Sequence, residues 1–377
     1  MQIKSMHCAV VRRHYDGTVR NTRHAWHGKN YVLVQLRTEN GLRGVGEMYC
    51  DGGGSPEVAL AILRHEIAPV VLGLDATRIG AIVHRLTDRM ALSARGSATS
   101  LAVSAVDMAL WDLMGHASGQ PCHHLLGGTT DRVPVYASGG MYGPSISPGN
   151  VAEEMAHAQR SGLRGAKIKV GAAELEEDEE RVARVREAIG PDAPLMIDAM
   201  FAPTVPEAIA LGRSLSKYGL HFLEAPTHAN HVQGWATIAA TTGIPLSGPE
   251  LSDDPDLMRR MLEADAVQYL QFDVAIAGGL SGGRNLAALA RAHHRPISLH
   301  CAASAVAMAA AAHLGAATGS CDGLEFHLMH DGLRDRLWSS GWQLADGFLI
   351  APARPGLGIV LGEEESDLLE DGRCCAD

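Results

Sequence analysis

Residues 165–198 read GAKIKVGAAELEEDEERVARVREAIGPDAPLMID, in which a charged segment separates two short apolar runs. The runs Gly165–Val170 and Leu195–Asp198 have the length of β-strands, and Glu174–Ile189 between them has helical spacing. A strand, a helix and a second strand in this order predict a βαβ unit with parallel strands.

The same alternation continues on both sides of this unit. The further strand-length runs are Val133–Tyr136, His221–Glu224, Ile244–Leu246, Ala266–Phe272, Pro296–Leu299 and Gly323–Glu325. The further helical patterns are Val151–Arg160, Val205–Leu215, Val232–Thr241, Pro255–Leu262, Gly283–Ala292 and Ala305–Leu314. Eight strands with seven crossover helices predict a fold of the α/β class, a closed (β/α)7β barrel of the TIM type.

The first third of the chain has a different pattern. The β-rich runs Tyr31–Arg37 and Leu42–Met48 flank the turn sequence Glu39-Asn40-Gly41 and predict a hairpin, after which helical patterns follow. We therefore predict an α+β capping domain over residues 1–129 and the barrel over residues 130–332. Hairpin-like pieces in residues 333–377 predict a carboxyl-terminal segment that returns to the capping domain.

Composition excludes several classes of partner. The 377 residues carry a net charge of −11, so no basic surface is expected to bind nucleic acid. No apolar run follows a basic start, which argues against a secretion signal or a membrane anchor. The seven cysteines have no framework spacing, which favours a reducing cytoplasm. We expect a small-molecule carboxylate substrate, no nucleic-acid or membrane partner, and a homo-oligomer.

Polar residues stand at the carboxyl ends of the predicted barrel strands, where active sites of such barrels lie. In chain order they are Lys167, Lys169, Asp198, Glu224, Glu250, Asp273, His300 and Glu325. From Lys169 onwards each step is between 23 and 29 residues, which is close to the length of one β/α unit. The series predicts that these side chains surround one barrel mouth. Singly, each has an ordinary structural explanation, such as Asp198 capping the next helix.

Three of these residues form a candidate metal site. Asp198, Glu224 and Glu250 end adjacent strands and offer only oxygen ligands. Hard cations prefer such ligands, so we expect Mg²⁺, with Mn²⁺ as an alternative. A bound Mg²⁺ can hold a substrate carboxylate and stabilise the enediolate that forms when the α-proton leaves.

The remaining residues of the series are candidate acids and bases. Lys167 and Lys169 are two residues apart on one strand, so both side chains point to the same side. Their mutual repulsion is expected to lower the pKa of one ammonium. Asp273 and His300 end neighbouring strands and predict an acid/base dyad. Glu325 is expected to stay protonated and to donate a hydrogen bond to the enediolate oxygen.

With these positions placed, the chain resembles the enolase superfamily and, within it, the mandelate racemase subgroup. The matching motifs are Lys167-Ile-Lys169, Ile197-Asp198-Ala199, Leu223-Glu224-Ala225-Pro226, Pro249-Glu250, Asp273 with Gly278-Gly279, His300, Glu325, and in the first domain Ala105–Asp112, Leu125–Gly128 and Arg132–Tyr136. The resemblance implies a capping domain over the barrel, Mg²⁺, and two bases on opposite faces of the substrate. It implies that Lys167 binds the substrate carboxylate, that Lys169 is one base, and that the His300–Asp273 dyad is the other. Met200 stands where many members of the family carry Asn.

The segment between Arg12 and Lys29 is rich in Arg and His and is predicted to be a capping loop that reads the far end of the substrate. Such side chains favour a polyhydroxy acid or a diacid over an aryl substrate. A merely solvated basic loop is the alternative. The candidate contacts are Arg20, Arg23, His24, Tyr49 and Ser138, besides Lys167, and residues 49–54 resemble a second loop able to close on a ligand.

Three functions share this site. The favoured one is dehydration of an acid sugar, an aldonate or aldarate, to a 2-keto-3-deoxy acid. The second is racemisation or epimerisation of a 2-hydroxy acid, which would return a proton to the same carbon. The third is a barrel retained for binding or structure without catalysis. The presence of the complete set of metal and base residues argues against it.

Overall fold

The computed structural model describes residues 1–50, 55–89, 98–128, 130–143 and 146–374. The first part is a sheet of strands β1 Ile3–Arg20, β2 Ala25–Thr38 and β3 Arg43–Tyr49, packed on helices α1 Pro56–Ile62, α2 Ala68–Val71, α3 Ile79–Arg89, α4 Ala98–Ser118 and α5 Cys122–Leu125. A π-helical turn, Leu63–Ile67, joins α1 to α2. The predicted hairpin is present, because β2 pairs with β3 from Tyr31 opposite Tyr49 to Arg37 opposite Arg43.

The segment predicted as a capping loop is instead the end of a long hairpin. Strand β1 pairs with β2 as far as Arg20 opposite Ala25. The turn between them is held by Asn21, whose Oδ1 accepts from the backbone N of Arg23 at 2.7 Å and of His24 at 2.8 Å. The loop prediction was wrong because this part of the hairpin extends beyond the capping-domain core and carries no apolar alternation.

The second part is the barrel. Its strands are β4 Arg132–Gly139, β5 Ala166–Lys169, β6 Leu195–Asp198, β7 Phe222–Glu224, β8 Leu246–Gly248, β9 Tyr269–Asp273, β10 Ile297–His300 and β11 Cys321–His327. Its helices are α6 Pro148–Arg160, α7 Leu175–Ile189, α8 Val205–Leu215, α9 Val232–Thr242, α10 Pro255–Glu263, α11 Gly279–Ala292 and α12 Ala305–Thr318. Each strand is parallel to the next, and β11 pairs with β4 to close the barrel. The predicted (β/α)7β architecture is confirmed.

Strand register brings the polar ends of neighbouring strands together. Lys169 lies opposite Asp198, which lies opposite Glu224 on the following strand. On the other side of the mouth, His300 lies opposite Asp273. Because parallel strands end at one edge, the series read from the sequence surrounds a single opening.

The carboxyl-terminal segment contacts both parts in turn. Its elements are α13 Asp335–Ser339, β12 Gln343–Ala345, β13 Phe348–Ile350, α14 Glu363–Asp371 and β14 Arg373–Cys374. Strand β13 pairs with the start of β4, and β14 pairs with β1 of the first domain. The segment therefore extends the barrel sheet before it reaches the capping domain. None of the helices described here is long and apolar enough to cross a membrane.

Buried carboxylates fix the capping domain over the barrel mouth. Glu47 on β3 accepts from the backbone N of Ser304 at 3.0 Å and of Ala307 at 3.1 Å, at the start of α12. Asp107 on α4 accepts from the backbone N of Ser281 at 3.0 Å, in the first turn of α11. The partial positive charge of a helix amino terminus favours such carboxylates. Since α11 and α12 begin just beyond β9 and β10, these contacts place β3 and α4 directly above the site.

Candidate active site

A cavity of about 310 Å³ lies between the capping domain and the carboxyl ends of the barrel strands. The capping domain lines it with Asn21, His24, Trp26, Tyr49 and Leu101, and the barrel side with Met141, Lys169, Met200, Glu250, Leu251, Ile276, His300, Ala302, His327, Met329 and His330. This volume is typical of a small-molecule site. A larger groove of about 770 Å³ includes Pro245 and Gln268 at the amino ends of β8 and β9, the end of the barrel away from the predicted chemistry.

Two buried lysines lie among the predicted metal-binding carboxylates. Lys167 Nζ is 2.6 Å from Glu224 Oε2 and 3.0 Å from Glu325 Oε1. Lys169 Nζ donates to the Asp198 carboxylate. All five side chains are almost completely buried, so each charge is stabilised mainly by the opposite charges beside it.

Glu250 is the least satisfied of the three carboxylates. Its Oε2 is buried and has no hydrogen-bond partner among the described residues. Burial, and then repulsion from Glu224 and Asp198, raises its pKa well above the ordinary value. Burial also raises the pKa of Glu224, to about 7, against the opposing effect of Lys167. An oxygen-only group with mutual repulsion and an unsatisfied buried oxygen fits a hard divalent cation, which would offset that repulsion.

The three predicted ligands, Asp198, Glu224 and Glu250, do not form a preassembled metal site in this structure. Over the described residues, no three His, Cys, Asp or Glu side chains are grouped closely enough to hold a metal ion as they stand. In this arrangement Lys167 pairs with Glu224 and Lys169 with Asp198, so two of the three carboxylates are engaged by ammonium groups.

Two expectations about protonation are wrong for this arrangement. Burial alone would lower the pKa of Lys169, but the Asp198 carboxylate outweighs burial and the repulsion from Lys167, so the pKa is raised. Burial alone would raise the pKa of Glu325, but Lys167 and then His300 hold it well below the ordinary value. Glu325 is therefore a carboxylate here and cannot donate a hydrogen bond.

The predicted dyad is present. His300 Nδ1 is 2.7 Å from Asp273 Oδ2, and Asp273 Oδ1 accepts from the backbone N of Ala275 at 2.8 Å. Because a carboxylate only accepts, the Nδ1 atom of His300 carries a proton. Burial lowers the pKa of His300, but the Glu325 and Asp273 carboxylates prevail and raise it to about 9. The imidazole is thus a cation at neutral pH and lines the cavity.

The residues predicted to contact substrate divide into two groups. His24 and Tyr49 line the cavity. Arg20 and Arg23 do not: the Arg20 guanidinium lies 5.4 Å from the centre of the Tyr142 ring, and Arg23 is exposed at the hairpin turn. Ser138 is buried on β4 beside Lys167 and is also outside the cavity lining. Of the second predicted loop, residues 51–54 lie outside the described residues.

Sequence reasoning missed several functional candidates. Gln271 Nε2 donates to Glu224 Oε2 at 2.8 Å and so orients a predicted metal ligand. His327 lines the cavity, with His330 nearby. Gln271 and His327 each lie two residues from a recognised strand-end residue, Asp273 or Glu325, so strand alternation could have found both.

Met200 supports the site through its main chain rather than its side chain. Its backbone N donates to Asp198 Oδ1 at 2.8 Å, while its Sδ lies 3.7 Å from Lys169 Nζ. A thioether is only a weak acceptor, so this position adds little polar contact.

Comparison with known proteins gives matches over nearly the whole chain. The family model described as enolase C-terminal domain-like matches residues 150–365, and that of the mandelate racemase/muconate lactonizing enzyme N-terminal domain matches residues 6–127. Arabinonate dehydratase of Saccharolobus solfataricus is 29% identical over 350 residues, which cover 93% of this chain and 92% of the relative. D-galactarolactone cycloisomerase of Agrobacterium fabrum is 30% identical over 374 residues, which cover 97% of each chain.

A solved structure agrees with the sequence relatives. A racemase from Streptomyces coelicolor A3(2) with bound magnesium superposes with a TM-score of 0.88 at 28% identity, covering 98% of this chain and 99% of the other. Family models, relatives and fold all lead to one assignment: this chain belongs to the mandelate racemase group of the enolase superfamily.

Proposed function

We propose that the protein is a Mg²⁺-dependent dehydratase of acid sugars, which converts an aldonate or aldarate into a 2-keto-3-deoxy acid. The observation that carries the proposal is that Lys169 and the cationic His300 line the same cavity. Their strands, β5 and β10, are three apart by the shorter route around the barrel. A substrate between them is exposed to a potential base on one side and an acid on the other.

Asp198, Glu224 and Glu250 are the residues that would hold the metal, with Mg²⁺ as the proposed ion and Mn²⁺ as an alternative. When bound, such an ion supplies Lewis acidity to a substrate carboxylate. Lys167 is fully buried beside Glu224, and its ammonium would pair with the substrate carboxylate. Together these residues would orient the α-carbon relative to Lys169 and His300.

Lys169 is the proposed base for the α-proton. Its ammonium donates to Asp198 in the arrangement described here. A lysine accepts a proton only after losing one, so this contact must be released before the reaction begins. Release of the Asp198 carboxylate to a cation would remove the charge that holds the proton on Lys169.

His300 is the proposed acid for the leaving group. Asp273 keeps the proton on Nδ1, so the second proton of the cation is on Nε2, the atom available for transfer. Donation from Nε2 to a hydroxyl on the β-carbon lets that hydroxyl leave as water. The resulting enol then becomes the 2-keto acid.

A library of aldonates and aldarates incubated with Mg²⁺ tests the proposal. We expect at least one of them to give a carbonyl product that semicarbazide traps. Racemisation is the second candidate, favoured by the presence of two proton-transfer groups in one cavity. A change in optical rotation with no carbonyl product across the library would support racemisation and overturn the dehydratase.

We further propose a cytoplasmic location and assembly into a homo-oligomer. Cys122, Cys301 and Cys321 are free thiols, which suits a reducing compartment. Exposed Trp338, Val360 and Leu368 all lie on the carboxyl-terminal segment and supply apolar surface for self-association. Sedimentation equilibrium tests the oligomer, and a monomer at micromolar concentration would contradict it.

A further inference from the structure

A group of donors lies beside the dyad, where the carboxyl ends of β10 and β11 meet the capping hairpin. Lys29, on β2, is buried, and its Nζ donates to the carbonyl of Ala302 just beyond β10. The same Nζ is 3.0 Å from His330 Nε2. Because an ammonium only donates, His330 Nε2 must accept, and the proton of its neutral ring is on Nδ1.

His327 completes this group and is incompletely satisfied. It ends β11, lines the cavity and is 4% exposed. Its Nδ1 is buried and has no hydrogen-bond partner in the described part of the chain. A buried imidazole nitrogen without a partner is costly, so a ligand or water that reaches it gains a hydrogen bond at little desolvation cost.

A second buried cation lies behind His327. The Arg334 guanidinium is 0% exposed and donates to the carbonyls of His327 at 2.9 Å and Cys301 at 3.1 Å. Among the side chains that the structure describes, no carboxylate pairs with it, and its Nε has no hydrogen-bond partner. A buried cation whose described partners are all neutral favours an anion nearby.

The carboxylates that the structure describes next to this group are already engaged. Glu47, close to Lys29, accepts hydrogen bonds from Ser304 and Ala307. Glu325, two residues before His327, pairs with Lys167 and lies 3.6 Å from His300 Nε2. Burial and the neighbouring Lys29 and Arg334 lower the pKa of His330, so its ring is neutral and adds no repulsion toward Lys29.

We propose that His327, His330 and Lys29 form a second carboxylate subsite in the active cavity, so that the substrate is a dicarboxylic acid sugar. The inference rests on the proposed function for the role of the first carboxylate. The cavity includes both Lys169 and His330, so one ligand can reach both ends. A diacid places its second carboxylate at the imidazoles, whereas an aldonate of the same configuration places a neutral hydroxymethyl group there.

The test compares matched aldarates and aldonates that differ only at the terminal carbon, in the galacto, gluco and manno configurations. Binding is measured by calorimetry with Mg²⁺ on the Lys169→Met protein, so that turnover is not needed. We expect the best diacid to bind about tenfold or more tightly than its matched monoacid, as one or two hydrogen bonds to a charged group provide.

Variants of the subsite identify the residues responsible. His327→Leu in the same background should reduce the preference for the diacid about tenfold, and His327→Asn should restore part of it. Lys29→Met provides an independent second variant on the other domain, with the same expected direction. His157→Leu, on the exposed face of α6, is the matched control and should leave the preference unchanged.

Each result is decisive. Equal binding of both acids, equal losses for both in His327→Leu and Lys29→Met, or no measurable binding of any diacid would overturn the subsite. Carbonyl product from a monoacid alone would also overturn it while leaving the dehydratase intact. A diacid preference that depends on His327, with no carbonyl product from any acid, would support the subsite and reject the dehydration.

Discussion

The barrel mouth and the capping hairpin supply side chains to one cavity by different structural means. At the mouth, Lys169, Asp198 and Glu224 are cross-strand neighbours whose positions follow from register. On the hairpin, His24 lines the cavity and Lys29 contacts the lining residues Ala302 and His330, in both cases because the capping domain is docked over the barrel. The side chains that transfer protons therefore lie on a rigid sheet, whereas recognition of the far end of the substrate depends on how the two domains pack together.

The largest expected effects are at the two proton-transfer residues of the mouth. Lys169→Met should stop exchange of the substrate α-proton in D₂O for the configuration whose α-proton faces Lys169. His300→Asn should stop exchange for the opposite configuration, for which the neutral form of His300 would be the base. Each loss should be about 10²–10⁴-fold, which is typical of a positioned acid or base. Mass spectrometry of the recovered substrate measures the exchange. If both variants retain exchange with the same substrate, neither residue is the base proposed.

The metal carboxylates should give the next largest effect. Glu224→Gln keeps the shape of the side chain but removes one charge from the proposed ligand set, so Mg²⁺ should bind at least about 10- to 100-fold more weakly. Calorimetric titration with Mg²⁺ measures this without turnover. Glu176→Gln, on the exposed surface of α7, is the matched control. Unchanged Mg²⁺ affinity in a folded Glu224→Gln protein would remove Glu224 from the site.

The dyad should set the alkaline limb of the pH profile. His300 has a pKa of about 9, so its acidic form is present below that pH and is lost as the pH rises through it. Dehydration should therefore decline above about pH 9. Asp273→Asn removes a hydrogen bond that raises this pKa, so the limb should move to lower pH. A limb that does not move would show that another group controls it.

The smallest expected effect is on the hairpin. Arg20→Met should change KM by no more than about twofold, since exposed substitutions usually alter energies by about 0.5 kcal/mol or less. Its guanidinium lies against Tyr142 and outside the cavity lining. Steady-state kinetics with the best substrate measure the change. A large rise in KM would place Arg20 at the substrate and contradict the contrast between hairpin and mouth.

The barrel and its strand-end residues could be predicted because the same strand–helix unit, with a polar residue at the end of the strand, recurs along the chain. Asp198, Glu224, Asp273 and His300 end their strands as expected, while Glu325 lies two residues before the end of its strand. The protonation states could not be predicted in the same way. The pKa of Lys169 depends on its contact with Asp198, and strand spacing does not reveal that contact.

By itself, the sequence determined the alternation of strands and helices, the order of polar residues around the mouth and the family of the chain. These follow from local periodicity and from the single edge at which parallel strands end. Only the tertiary structure decided that residues 12–29 form a hairpin, that Arg20 lies away from the cavity, and that Lys29 meets His330. The last of these contacts joins residues 301 positions apart through domain docking, which no local pattern encodes.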